Sequence, residues 1–430
     1  MEAGPGETIR PRDLASPQAR AILERAQALA PRTDPLALVA ALRRDFPGTD
    51  PSLVSAVATQ ARLRARAVPR LGLLAERLVL SDAGLQQASR GTVAAYRAAQ
   101  LRLRLGDAGR DDEPLVADLG CGLGVDALAL SDAGFRVRAI ESDPWTAEAA
   151  ALNCTDRPGV EIVEGDALTA DLAGCHAAFC DPSRRDPSAP LPTHGRGRAP
   201  RVGPPEQWSP PWPWVVDLAR RLPVVAKASA GLPGSAVPED AEREWIEVAG
   251  EVVECCVWFA PLGEAGVRRA TILAAGDALS LAAGPREHGT RVTDVAQAYL
   301  LEPAAAVTAA GLVEAVATRF ARQGVIAELI GGWLTASQDP ASPWVRAWRV
   351  IEELPASSRA MRDALRGAGQ VTWKTADIRE SAEDVAQRVH HRPAAGAPPA
   401  TVILLANGSA WRAELPDPRF PTLGDGTAAP

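Results

Sequence analysis

Carboxylates set among glycines and short apolar runs are the residues of this chain whose types and spacing can do chemistry. They recur in order between residues 116 and 186. The first group is Val116-Ala117-Asp118-Leu119-Gly120-Cys121-Gly122-Leu123-Gly124. Glycines there let the backbone turn tightly and approach a ligand that a Cβ would repel. Dinucleotide folds use similar turns, with a pyrophosphate on the next helix. Here the acid directly precedes the glycines, which suits a cationic, phosphate-free ligand. The second group is Val137-Arg138-Ala139-Ile140-Glu141-Ser142-Asp143-Pro144. Glu141 ends an apolar run, where a carboxylate can accept both hydroxyls of a ribose, and Asp143 before Pro144 reads as a helix cap. The third is Val163-Glu164-Gly165-Asp166-Ala167-Leu168, in which Asp166 can accept from an adenine amino group. One Gly-Asp alone is an ordinary turn. Three acids in order, one per β-α step, describe a ligand site at the carboxyl ends of parallel strands. S-adenosylmethionine answers that description, with Asp118, Gly120, Gly122, Gly124, Glu141 and Asp166 as its contacts.

The fourth group, Asp181-Pro182-Ser183-Arg184-Arg185-Asp186, ends another apolar run. Transfer from an already activated sulfonium needs positioning and a proton acceptor. Asp181 is expected to orient the acceptor, with Pro182 beside it. Arg184 and Arg185 either hold a phosphate or carboxylate in bidentate fashion or pair with Asp186. Catalytic residues are therefore expected at Asp181, Pro182, Arg184 and Arg185. Lys227, after a later apolar run, either meets a nucleic-acid phosphate or pairs with a carboxylate; the phosphate is favoured. The Pro-rich stretch from Asp186 to Pro213 carries Trp208 and Trp212, with Trp214 just beyond. These tryptophans either stack on a substrate or anchor the loop. Arg184, Lys227 and Trp212 are the expected substrate contacts. His390 and His391 lie in a polar segment and read as solvated.

The elements that must position these residues follow from periodicity. Residues 16–105 read as helical, with Asp34-Pro35 and Asp50-Pro51 as capped starts, Gln18 to Leu29 and Pro35 to Arg44 as amphipathic stretches, and Ser81 to Leu105 as one helix. The Leu85 to Ser89 stretch either closes over the cofactor, with Gln86 and Ser89 as polar contacts, or merely caps the sheet. From Leu115 the apolar runs at 115–118, 136–140, 160–163, 176–180 and 223–228 alternate with helical patterns, the mark of a parallel sheet covered on both faces. Glu251 to Ala260 and Arg268 to Ala274 read as a hairpin turned at 262–266. A third region from Gly284 mixes helical patterns (304–323, 343–353) with strands (370–373, 401–405). The fold class is α/β: a Rossmann-like seven-stranded sheet with an N-terminal helical region and a C-terminal α+β domain. The expected boundaries are 1–105, 106–278 and 279–415, with 416–430 a tail without fixed structure.

Composition bounds the partners. The chain has 430 residues, with hydrophobic residues at 47% and charged residues at 23%, ordinary for a folded protein. It has no apolar run long enough to span a bilayer and no signal-peptide pattern, so a cytoplasmic protein without membrane contact is expected. The 6 cysteines lack metal-ligand spacings, so thiols and no metal are expected. A net charge of -7 argues against a uniformly basic nucleic-acid binder, though not against a local basic patch.

Asp118 to Gly124, Glu141, Asp166 and Asp181-Pro182 resemble motifs one to four of the class I methyltransferases. More closely, the chain resembles the bacterial class I methyltransferases that carry a C-terminal THUMP-like domain. The matches are Leu85-Gln86-Gln87-Ala88-Ser89 with Val93 and Arg97, Asp181 to Arg185, Lys227-Ala228-Ser229-Ala230-Gly231-Leu232-Pro233, Glu254 with Trp258, and Tyr299 to Ala304. The resemblance covers most of the chain after about residue 70. It implies S-adenosylmethionine-dependent methylation and, because THUMP domains bind RNA, a transfer- or ribosomal-RNA substrate. The catalytic region is also distantly similar to trimethylguanosine synthases. Amino-group methyltransferases usually follow Asp-Pro with Pro and an aromatic that stacks on the flipped base; Ser183 and Arg184 stand there instead. Ala230-Gly231 likewise stands where the family has Pro-Gly. Two other readings stay open: a methyltransferase for a small molecule or protein, and a non-catalytic protein that binds the cofactor or RNA.

Overall fold

The computed structural model describes residues 9–29, 34–106, 113–183, 203–274, 276–284, 292–293, 295–320, 325–329, 332–376, 380–405 and 408–415. Two compact units emerge, one of Met1–Ala241 with Cys256–Glu264 and the other of Glu242–Cys255 with Ala265–Pro430.

The first unit opens with helices α1 (Pro11–Leu14), α2 (Pro17–Leu29), α3 (Pro35–Asp45) and α4 (Pro51–Leu71). Both aspartate caps form. Asp34 accepts from the amides of Leu36 and Ala37 at 3.0 and 3.1 Å, and Asp50 from Ser52 at 2.8 Å. Each cap contributes about 1 kcal/mol. The single helix expected from Ser81 to Leu105 is instead two, α5 (Asp82–Gln87) and α6 (Gly91–Leu105). The chain breaks at Ala88 to Arg90, where Ser89 is buried and hydrogen-bonded by Arg97 of α6 and by the distant Lys227.

Then come β1 (Leu115–Leu119), α7 (Val125–Asp132), β2 (Arg136–Glu141), α8 (Pro144–Asn153), β3 (Val160–Glu164), β4 (Ala177–Cys180), α9 (Trp212–Ala219) and β5 (Val224–Ala228). The five strands are parallel and ordered β3-β2-β1-β4-β5. β1 and β4 are neighbours although the chain leaves β1 toward β2. That reversal of winding opens a crevice at their carboxyl ends.

The hairpin lies elsewhere than the sequence suggests. It joins β6 (Glu242–Val248) to β7 (Glu251–Trp258) through Ala249 and Gly250, whose φ angles of 54° and 79° are those a two-residue type I′ turn demands. β8 (Arg268–Ala274), a strand expected from sequence, runs parallel to β6 and antiparallel to β9 (Asp277–Ala283), so β6 and β9 add to the seven strands expected. β6 escapes sequence reading because Glu242, Arg243, Glu244 and Glu247 make it look like loop. The buried Glu242 and Glu244 are satisfied by Arg269 and Thr271 of β8, at 2.7 and 2.6 Å.

The second unit continues with β10 (Val292–Thr293), β11 (Tyr299–Pro303), α10 (Ala305–Ala309), α11 (Val313–Phe320), β12 (Val325–Leu329), β13 (Trp333–Ala336), β14 (Val345–Leu354), α12 (Ser358–Ala364), β15 (Val371–Ala376), α13 (Ala382–Val389), β16 (Ala400–Leu405) and β17 (Ala410–Glu414). Its separate sheet has the order β10-β12-β13-β11-β14-β17-β16-β15. β14 corrects the helix expected over 343–353. Arg, Glu and Ala suit a helix in isolation, but pairing with β11 and β17 on either side fixes the extended form. One apolar cluster gathers Leu300, Trp333, Trp348, Ile403 and Leu405, and another packs Met361 and Leu365 with Val385, Val389 and Val402. His391 is not fully solvated, since its Nε2 lies 2.9 Å from the Gly369 carbonyl. The tail at 416–430 lies outside the described residues.

Candidate active site

The expected cofactor residues converge at the carboxyl ends of β1, β2 and β3. Gly120, Gly122 and Gly124 all have positive φ, 85°, 54° and 83°. At Gly120 a Cβ would make only ordinary contact, 3.5 Å from the Asp181 carbonyl, so its φ alone favours glycine; at Gly124 a Cβ would also crowd Cys154 Sγ at 3.0 Å, where the loop enters α7. Glu141 ends β2 and is held at both oxygens: Gly122 donates to Oε2 at 3.0 Å and Asp143 to Oε1 at 2.9 Å. That grip aims the carboxylate, whose remaining lone pairs suit two vicinal hydroxyls. Asp143 caps α8 through Thr146 at 2.8 Å, as its sequence predicts. Asp166, past β3, accepts from the Leu168 amide at 2.9 Å in an Asx turn that holds its exposed side chain at the loop edge.

Asp118 is the unusual member. It is fully buried, and neither carboxylate oxygen has a hydrogen-bond partner. Burial drives its pKa well above the usual carboxylate range; Asp126 adds to the rise and Arg97 opposes it. An unpaired buried carboxylate is costly, and a cationic ligand at the glycine loop would relieve that cost. The donor set therefore fits S-adenosylmethionine, whose sulfonium and ammonium groups are both cations.

Beside it, at the ends of β4 and β5, Asp181 Oδ2 and Lys227 Nζ form an ion pair at 2.6 Å. Burial pushes the Asp181 carboxyl up, and Lys227 pulls it back without cancelling the rise. Lys227 also reaches Ser89 Oγ at 3.4 Å. Of the two partners weighed from sequence, the carboxylate is the one the structure shows for Lys227. Pro182 is buried, and Ser183 exchanges backbone hydrogen bonds with Ser209 at 2.7 and 3.0 Å. Arg184 and Arg185 lie outside the described residues. Trp212 corrects another expectation. It is 2% exposed, its indole donates to the Ala236 carbonyl at 2.7 Å, and it packs edge-on against Trp208 at 5.9 Å. It anchors the start of α9 and offers no face to a substrate.

Arg97 and Asp126 form a buried ion pair that sequence reasoning missed as a functional group. Arg97 also donates to Ser89 Oγ at 3.1 Å and stacks 4.2 Å over Phe179. A signal existed: Arg97 interrupts the apolar stripe of Val93, Ala94, Ala98 and Leu101 on α6, where a charge survives only with a partner.

Comparison with known proteins agrees with this architecture. Residues 10–67 match the model of a family described as a domain of unknown function, DUF8688. Two uncharacterized S-adenosylmethionine-dependent methyltransferases of Mycobacterium tuberculosis, from strains CDC 1551 and H37Rv, are each 28% identical over 312 residues, covering 70% of this chain and 79% of theirs. The crystal structure of a putative methyltransferase from Porphyromonas gingivalis W83 superposes with a TM-score of 0.70 at 21% identity, over 92% of this chain and 98% of that one. The chain has the Rossmann-like fold of bacterial-type class I methyltransferases, with N-terminal helices and a separate C-terminal β-sheet domain.

Proposed function

We propose that this chain is an S-adenosylmethionine-dependent methyltransferase whose acceptor is a base of transfer or ribosomal RNA. The observation that carries the first part is the buried, unpartnered Asp118 at the glycine loop, with Glu141 and Asp166 at the two strand ends beside it. Glu141 would hold the ribose, Asp166 the adenine, and Asp118 the cationic end of the cofactor. S-adenosylmethionine, when bound, supplies an activated methyl group on sulfur. Asp181 presents the acceptor: Lys227 occupies Oδ2, and Oδ1 is left to take a hydrogen bond from the acceptor N–H and then its proton. A carboxyl raised by burial is a better base for that step than an exposed aspartate. Arg184 and Arg185 follow directly and would bind RNA phosphate, and the C-terminal sheet domain would take the THUMP-like role of gripping the RNA. The net charge of -7 favours a second reading, a small-molecule or protein acceptor.

The test is incubation of the full chain and tritiated S-adenosylmethionine with total RNA from a strain lacking the gene. Label in one RNA size class is expected. Asp181→Ala should lower that labelling at least about 100-fold while leaving cofactor affinity near wild type. Cofactor binding without label in RNA would overturn the RNA acceptor and move the assignment to the second reading.

A further inference from the structure

Several side chains of helix α4 are spent on one stretch of chain, residues 76–88. The buried Gln60 amide bonds both the N–H and the C=O of Leu80, at 3.0 and 2.6 Å. Arg64 donates to the carbonyls of Leu78 at 3.1 Å, Arg77 at 3.2 Å and Glu76. Arg66 pairs with Asp82, and Arg70 donates to the Ala88 carbonyl at 2.7 Å. The other side of the same stretch faces the site. Asn153 bonds Val79 at both backbone groups, 2.7 and 3.1 Å, and its amide also reaches the Leu123 carbonyl in the glycine loop at 2.9 Å. At Gly84 a Cβ would stand 2.7 Å from Leu123. Gln87 accepts from the Ser183 hydroxyl at 3.3 Å, and Ser89 meets Lys227.

We propose that α4 is a clasp for the cofactor loop: Gln60 and Arg64 are positioning residues that, through the strap at 76–88, hold Leu123 and so the Gly120–Gly124 turn in its binding shape. This gives the region matched as a domain of unknown function, residues 10–67, a task in the reaction. The proposal rests on the reading of that turn as the cofactor loop. Arginine at 64 is demanded by geometry, since its planar fork serves three carbonyls and a lysine would serve fewer. Gly84 is demanded by space and not by flexibility, because it lies inside a helix where alanine is the better former.

The experiment compares full-length Gln60→Ala, Arg64→Lys and Gly84→Ala with the wild type, at a temperature where each is folded by circular dichroism. Two quantities are read: the Kd for S-adenosylhomocysteine by calorimetry, and amide hydrogen exchange at residues 120–124 in the ligand-free chain. A clasp predicts a Kd raised roughly tenfold in each variant with faster loop exchange. A merely structural helix predicts lower melting temperatures with Kd within about twofold of wild type and unchanged exchange, and that result overturns the proposal. Arg64→Lys, which keeps the charge and the stem, decides should the other variants fail to fold. No binding by the wild type would overturn the cofactor reading, and loop exchange would still decide the clasp by itself.

Discussion

The most informative residue is the one with nothing to hold. Asp118 is a buried carboxylate without a donor, which the ligand-free fold tolerates at a cost. Replacing it by asparagine should stabilise the ligand-free protein by about 1–3 kcal/mol, measured by thermal or urea melts, and weaken cofactor binding in calorimetry. The pH dependence follows from the sign of the shift. With the folded pKa raised above the unfolded one, the destabilisation is fully present above the folded value and fades as pH falls toward the unfolded value of about 3.9. The stability gap between Asp118→Asn and wild type should therefore close in acid, and cofactor affinity of the wild type should fall over the same interval. Trp212 carries the opposite expectation. Trp212→Ala should cost about 3–5 kcal/mol by emptying a core position, with any loss of activity tracking the loss of folded protein. At this scale the sequence was legible where geometry is local: the positive-φ glycines and the Asp143 cap depend on neighbours within a few positions, whereas Glu141 also takes the Gly122 amide from another turn. The Asp181–Lys227 and Arg97–Asp126 pairs were not, because each joins elements far apart in the chain, and a lone lysine or arginine in sequence looks alike whether it meets a phosphate or a carboxylate.

Elements were legible in proportion to how far their own residues decide them. β1, β4 and β5 are largely apolar runs, and β2 and β3 set apolar residues among charged ones in short stretches that read as strands. β6 and β14 are rich in charge, and it is their partners that make them strands: Arg269 and Thr271 satisfy the glutamates of β6, and β11 and β17 bracket β14. The β6–β7 turn stores a correctable strain. Ala249 is exposed and has a φ of 54°, which costs a residue with a Cβ about 1 kcal/mol. Asn-Gly is the preferred pair for such a turn. Ala249→Asn should thus raise stability by up to about 1 kcal/mol, seen as a higher denaturation midpoint with an unchanged slope.

For the whole molecule, charge sets the terms on which RNA can bind. At a net charge of -7 there is no general attraction, so on the proposed RNA acceptor affinity would come from a local patch, for which Arg184 and Arg185 are the proposed members. Binding of the RNA acceptor should weaken as salt rises, and Arg184→Ala with Arg185→Ala should flatten the slope by roughly the two contacts removed; an unchanged slope would place the phosphate contacts elsewhere. One feature of the architecture reaches beyond binding. The two units interleave along the chain, the first recovering Cys256–Glu264 after the second has begun. Val257 and Phe259 of that returning piece lie in the same apolar cluster as Ala117, Val224 and Trp212. On the ribosome, then, the first unit cannot close its core when its first 241 residues have emerged; it must wait for the chain to pass out and back. A cut after Glu264 would keep every residue of the first unit in one fragment, whereas a nonsense mutation near residue 241 would remove Cys256–Glu264 and leave its apolar cluster incomplete.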